Sequence, residues 1–337
     1  MTQTHHTIAV HHVRQALLGA VRLGLADEPL LERAGIAPAL LASPQARVSQ
    51  MQFASLLRIV RHATRDELWG LLSRPVPLGT FTENCRRLIH CLTLDEAMRA
   101  GFRHWHGVLP DFVPRLRVHD GAAHVTLPAR VAPNPRLVFA QRTFLFFSIG
   151  LASWLVGRMI PLQGVTYRGP PPPPAGAEIG RAFRASVAYE APHFGYSFEA
   201  RWLALPVVQN AQSLAEFLQR APADLLVRYR DQSNLTDRIR RLLRAHLKGE
   251  LPSLEDVGRT LAMTPQTLRR RLREEGQGFQ ALKDDLRRDA AIEYLARPDL
   301  TLVDIAEQLG FSEASTFHRA FKKWTGVAPG EYRHRQR

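Results

Sequence analysis

Apolar residues in the first hundred positions recur at helical spacing. Val13, Leu17, Leu18 and Val21 form one stripe; Phe53, Leu56, Leu57 and Val60 form another. With Pro38, Pro44, Pro75 and Pro77 as punctuation, residues 12 to about 100 read as helices and turns. The period changes after Pro110. Residues 112–119 and 124–128 alternate apolar and polar side chains around Asp120-Gly121, which is a hairpin pattern. Helix returns over residues 136–158. Its most apolar run, 143–156, is closed by Arg142 and Arg158 and is shorter than the ~20 residues a bilayer needs, so it reads as a core helix. Strand signals follow at 162–167, 186–189 and 196–198. Between them lie a five-proline run at 170–174, expected as a stiff surface loop, and a short helix near 177–183. Residues 1–205 therefore read as one α+β domain. Residues 206–230 read as an interdomain linker helix, amphipathic over 214–229 and ended by Gln232, Ser233 and Asn234. Residues 231–337 carry no strand signal and read as all-α.

That last part contains an internal repeat. Ser253-Leu254-Glu255-Asp256-Val257 and Thr301-Leu302-Val303-Asp304-Ile305 open two copies at an offset of 48. Ser253 and Thr301 are expected helix caps, each with an aspartate three residues on, as in a capping box. Leu254, Val257 and Leu261 make one apolar stripe, and Leu302, Ile305 and Leu309 its counterpart. Gly258 and Ala306 are small where a second helix would cross. Gly310 suits a left-handed helix end, and Thr264 and Ser312 are expected to cap the helices that follow. Two short helices joined by a tight turn make a helix-turn-helix, whose second helix enters the DNA major groove.

The apolar stripes also define the faces left for DNA. If Leu268 and Leu272 point inward, Gln266, Arg270 and Arg273 point outward, with Arg269 on the flank. If Phe317, Phe321 and Trp324 point inward, Ser315, Arg319 and Lys322 point outward, flanked by Thr316 and His318. Arginine forks onto guanine and glutamine pairs with adenine, while lysine, serine and threonine more often hold phosphates. Residues 279–296 read as one helix joining the copies, of a length to set two recognition helices about one DNA turn apart.

Charge adds a polyanion partner without placing it. The 337-residue chain has net charge +14, and all but four of its 45 basic residues are arginine. Residues 231–337 hold 20 basic and 16 acidic residues, so local placement, not bulk charge, marks the DNA face. Cys85 and Cys91 are too few for a disulfide framework or a four-cysteine zinc site, and read as small buried hydrophobes. His104-Trp105-His106 and the terminal His5, His6, His11 and His12 read as ordinary side chains, so no metal or other cofactor is expected. The polar first residues give no expectation of a secretory signal, and no Walker loop, dinucleotide glycine fingerprint, His-Glu-x-x-His or nucleophile elbow is read. An enzyme is therefore not expected, and the chain is expected in the cytoplasm.

The tail reads Ala306, Leu309-Gly310-Phe311-Ser312, Phe317, Arg319-Ala320-Phe321-Lys322-Lys323, Gly326, Pro329 and Tyr332-Arg333. In order and spacing it resembles the AraC/XylS family of bacterial transcription regulators. The resemblance covers residues 231 to about 335. It implies seven helices carrying two helix-turn-helices on one linker helix, with base contacts at Gln266, Arg269, Arg270, Ser315, Thr316 and Arg319. Ala314 departs from relatives that carry a longer polar residue there, which implies fewer bases read by the second helix. Less sharply, Ala34-Gly35-Ile36, Arg47-Val48, residues 93–97 and Trp202-Leu203-Ala204-Leu205-Pro206 are similar to the family's arabinose-binding-type N-terminal domain. By that resemblance residues 1–205 bind an effector, dimerise, or both. The implied partners are promoter DNA, a small-molecule effector, RNA polymerase and a second copy of the chain, with activation as the mode of regulation. An alternative stays open: an N-terminal domain that only dimerises or docks a partner.

Overall fold

The computed structural model describes residues 7–170, 185–220, 235–247, 249, 251–274 and 278–334. Most of the five-proline run, the helix expected near 177–183, the end of the 214–229 helix and the 232–234 break lie outside the described residues. Two compact units divide the chain. One comprises Gln15–Asp27 and Leu57–Arg230; the other comprises Met1–Arg14, Glu28–Leu56 and Asp231–Arg337.

The first unit is α+β. Strands β3 (Arg115–His119), β4 (Ala122–Leu127), β5 (Gly164–Thr166), β6 (Ser186–Ala188) and β7 (Phe194–Glu199) form a sheet in the order β3-β4-β7-β5-β6. All described pairs are antiparallel except β5–β6. Asp120 and Gly121 turn the β3–β4 hairpin at φ 51° and 71°, the double left-handed geometry that the Asp-Gly pair supplies. Alternation then sets the buried face: Ala123, Val125 and Leu127 of β4 with Phe194, Tyr196 and Phe198 of β7.

Helix α6 (Pro135–Leu155) packs against β7. Asn134 caps it, its side chain accepting the Leu137 N–H at 3.0 Å, and Pro135 takes the first helical position. By length and composition α6 could cross a membrane, but 72% of its most apolar window is buried, as befits the core helix expected there. Helices α4 (Thr80–Leu88) and α5 (Leu94–Val108) pack together, α5 also against α6, and α7 (Ala211–Arg220) lies on α4. A buried carboxylate, Asp66, organises the entry to α4. It accepts the N–H groups of Leu68, Gly70 and Val76 at 2.8–2.9 Å, three hydrogen bonds that satisfy a buried carboxyl within the fold.

Two expectations for the first hundred residues need correction. In α1 (Val10–Arg22) the buried stripe is Val10, Val13, Leu17 and Ala20, whereas Val21 is 55% exposed. The segment is also not wholly helical. Arg47–Ser49 forms β2 and pairs antiparallel with β1 (Thr7–Ala9). Three-residue strands are too short to carry a period of two. Cys85 is buried as expected, and burial pushes its thiol up to about 12; Cys91 is half-buried, beyond the end of α4. His104 and His106 lie on α5, and His106 Nε2 is spent on the Pro114 carbonyl at 2.5 Å.

The second unit carries α2 (Asp27–Arg33) beyond its first residue, the β1–β2 ladder and the N-terminal part of α3 (Gln50–Thr64), followed after Asp231 by seven described helices. These are α8 (Leu235–Ala245), α9 (Leu254–Leu261), α10 (Pro265–Glu274), α11 (Phe279–Leu295), α12 (Leu302–Gln308), α13 (Ala314–Thr325) and α14 (Pro329–His334). Ile239, Leu243, Val257, Leu268, Leu272, Leu282 and Leu286 share one core, each contributing about 1.5–3 kcal/mol by burial. A second, aromatic cluster holds the tail, with Phe321 edge-on to Tyr332 at 5.2 Å.

Candidate nucleic-acid interface

Each repeat builds the same device from its caps inward. Ser253 Oγ accepts the Asp256 N–H at 3.1 Å, and Asp256 Oδ2 accepts the Ser253 N–H at 2.9 Å. Thr301 and Asp304 repeat this at 3.1 and 2.7 Å. Both capping boxes start their helices where the spacing places them. Hydrogen bonds from Ser253, then from the Arg259 guanidinium, hold the Asp256 carboxyl down at about 2; those from Thr301 lower Asp304.

The turns match up to the second cap. Ala262 and Gly310 end α9 and α12 in the left-handed region, at φ 52° and 71°. The Met263 N–H returns to the Gly258 carbonyl at 2.9 Å, and the Phe311 N–H to the Ala306 carbonyl at 3.0 Å. At Gly258 the turn comes closest: a Cβ there would stand 2.6 Å from the Met263 carbonyl oxygen, and 3.6 Å from Leu268 Cδ1 of the second helix. Thr264 caps α10, accepting the Thr267 N–H at 3.2 Å. Ser312 does not cap α13. The cap is Glu313, whose side chain accepts no backbone N–H of the helix, so α13 starts one residue later and the offset becomes 49.

The recognition helices present the expected faces. On α10 Leu268 and Leu272 are buried, and Gln266, Arg269, Arg270 and Arg273 are exposed. On α13 Phe317 and Phe321 are buried, and Ser315, Thr316, His318, Arg319 and Lys322 are exposed. Positions i, i+4 and i+7 on each helix, 266-270-273 and 315-319-322, share one outward face. Trp324 is only half-buried, resting on Phe311 with ring centroids 6.1 Å apart. The Ser315 hydroxyl donates to Glu313 Oε2 at 2.9 Å, so it must leave that carboxylate to reach a phosphate. Arg271 and Lys323 are exposed on the same helices and extend the basic surface; stripe counting points to neither, because each adjoins residues already placed on the face.

Helix α11 braces both devices. Lys283 Nζ donates to the Leu251 carbonyl ahead of α9, at 3.1 Å. One turn later Arg287 Nε donates to the Leu309 carbonyl at the end of α12, also at 3.1 Å, with its guanidinium over the Phe311 ring. Seventeen residues make α11 about 25 Å long. The β1–β2 ladder grips the same helix. Thr7 Oγ1 donates to the buried Asp289 Oδ1 at 2.6 Å, and Arg288 donates to that oxygen at 3.1 Å. The Tyr332 hydroxyl donates to the Arg47 carbonyl. Partners some 285 positions apart leave no local signal in sequence.

A family model described as the arabinose-binding domain of the AraC transcription regulator, N-terminal, matches residues 24–207, more than half of the chain. The chain belongs to the AraC family of transcription regulators. A helix-turn-helix domain model matches residues 257–335. The ornithine utilization regulator of Pseudomonas aeruginosa is 29% identical over 322 residues, 95% of this chain and 94% of that protein. An uncharacterized HTH-type transcriptional regulator of Mycobacterium tuberculosis is 47% identical over 87 residues, covering 26% of this chain and 25% of its own. The transcriptional activator NphR of a Rhodococcus species is 29% identical over 159 residues, 47% of this chain and 46% of that one. The AraC-family chain is thus a DNA-binding transcription regulator and not an enzyme.

Proposed function

We propose that this protein is an effector-controlled activator of transcription in the bacterial cytoplasm. The observation that carries the reading is the pair of capped helix-turn-helices braced on α11, each with an exposed polar and basic face. Gln266, Arg269, Arg270 and Arg273 read or hold one half-element of the promoter; Ser315, Thr316, His318, Arg319 and Lys322 engage the other. Residues 231–337 act as the DNA-binding domain, 206–230 as the linker, and 1–205 as the effector-binding and dimerisation domain. The transcriptional activator NphR among its relatives supports activation as the mode of regulation. RNA polymerase at the promoter is the partner this reading assigns. The effector controls the chain by binding two states with different affinity, since equal affinity shifts nothing.

The test is selection of genomic fragments by the full chain, then fluorescence anisotropy of the winning site with random DNA as competitor. A site bound ~10³-fold or more above random sequence is the expected result for a specific regulator. Uniform, salt-quenched binding to all fragments overturns the reading.

A further inference from the structure

The α+β unit contains a cavity between α4, α5 and α6 that DNA binding does not use. Its walls are almost wholly apolar, with Phe81, Met98, Phe102, Trp105, Phe144 and Phe147 among them. Its volume is about 50 Å³, more than the roughly 10–15 Å³ one water needs. The apolar protein cavity that holds benzene is larger, ~150 Å³, but this one is not closed, so a ring seated in it extends toward the opening.

Three polar side chains reach this space, and two of them are satisfied. The Ser148 hydroxyl donates to the Leu145 carbonyl at 2.9 Å and lies 3.1 Å from the Tyr196 hydroxyl. Glu67 Oε1 accepts the Gly79 N–H at 2.7 Å, with the Arg61 guanidinium 3.9 Å from Oε2. Asn84 differs. It is 2% exposed, and its Oδ1 has no hydrogen-bond partner. A buried acceptor left without a donor is costly, and this one lies at the wall of an open space.

Gly101 of α5 lines the cavity beside it. A Cβ there would meet Leu88 at 3.4 Å and Asn84 Oδ1 at 3.5 Å, which is ordinary contact. Alanine would therefore fit, and it is the better helix former. The methyl that is missing is the one that would close off Asn84 Oδ1. The lining also selects by charge. No basic side chain lines the cavity among the described residues, and Glu67 and Asn84 both present acceptors. A carboxylate would meet no cation and would lie near the Glu67 carboxyl, which weighs against fatty acids and zwitterionic amino acids.

We propose that this cavity binds an uncharged molecule of one-ring size, such as a phenol, whose O–H or N–H donates to Asn84 Oδ1. It rests on the reading above only in naming that molecule as the effector. A route outward is present in the same unit. Phe81, a wall of the cavity, lies 6.3 Å from Phe217 of α7, and Phe217 stacks on Trp154 at 4.2 Å. A ring seated beside Phe81 bears on α7, the last described helix before the DNA-binding part.

The experiment is calorimetric titration of the full chain with p-cresol, toluene and benzoate. Wild type, Gly101→Ala and Asn84→Leu are compared. Cresol is expected to bind, toluene about tenfold more weakly, and benzoate not at all. Gly101→Ala should raise the Tm while weakening cresol. Asn84→Leu should erase the preference for cresol over toluene. Absence of cresol binding, benzoate binding as tightly as cresol, or cresol binding indifferent to Gly101→Ala overturns the site. Promoter anisotropy on the same samples separates the two claims. Cresol that binds with the expected variant pattern but leaves DNA affinity unchanged supports the site and removes its effector role. A different molecule that shifts DNA affinity equally in all three proteins overturns the cavity as the effector site and leaves the regulator reading standing.

Discussion

Gly258→Ala tests whether the first recognition helix is held by a close backbone approach. The added Cβ would stand 2.6 Å from the Met263 carbonyl oxygen, about 0.8 Å inside ordinary contact at 3.4 Å. The carbonyl belongs to the backbone, and the Met263 N–H is bonded back to Gly258, so no side chain can swing aside. The turn itself must move, and α10 starts two residues later at Pro265. Overpacking of this kind costs about 1–3 kcal/mol, against about 1 kcal/mol gained by alanine over glycine in a helix. Net destabilisation of roughly 0–2 kcal/mol is expected. The effect on DNA is larger, because side chains that read bases tolerate displacements of only about 0.5 Å. Discrimination at the first half-element should fall by ~1–3 kcal/mol per base pair read from α10. Ala306→Gly, at the matching position of the second repeat, is the control: about 1 kcal/mol of helix propensity lost, with base discrimination kept. The assays are denaturant unfolding and anisotropy on sites with either half-element scrambled. A Gly258→Ala protein that is more stable and discriminates like wild type would refute the close approach.

Arg270→Ala and Arg319→Ala should each weaken specific binding by ~1–3 kcal/mol while sparing random DNA; equal losses on both DNAs, read by competition anisotropy, would make them phosphate contacts. Lys322→Ala should weaken binding to all sequences alike and flatten the salt dependence by roughly one unit of slope, as a salt titration shows. Burial raises the Glu67 carboxyl above its ordinary 4.5. The folded state therefore holds that proton more tightly than the unfolded chain, and stability is lost as pH rises from 4.5 through the raised value. Glu67→Gln keeps an acceptor for Gly79 and should remove this slope from a Tm-against-pH profile; an unchanged profile would assign the slope elsewhere.

The DNA-binding half is legible in sequence because its signals are local. Ser253 with Asp256, Thr301 with Asp304, and Pro265 mark helix starts within four residues, and Leu268, Leu272, Phe317 and Phe321 mark the buried faces. Local reading slips where one residue is inserted. The turn before α13 is longer by one than its counterpart, which moves the cap from Ser312 to Glu313. In the other half the hairpin at Asp120-Gly121 is legible for the same local reason. The β1–β2 ladder is not, since Thr7 and Ser49 pair across more than forty residues. Nor is the cavity. Glu67, Asn84, Gly101 and Ser148 come from four separate segments, and only packing shows which oxygen stays unpaired.

The central claim is that two helix-turn-helices, fixed on one braced helix, read one site together. Anisotropy of the full chain on the selected site, with 5 or 10 base pairs inserted between the half-elements, tests it most directly. The half-elements are expected about one helical turn, ~34 Å, apart. Lys283 and Arg287 tie the two devices to the same 17-residue helix, so α13 cannot follow its half-element away. Both insertions should then lower affinity to that of a single half-element, including the 10-base-pair insertion that restores the helical face. Affinity recovered at 10 base pairs, or unchanged at both spacings, would contradict a rigid pair.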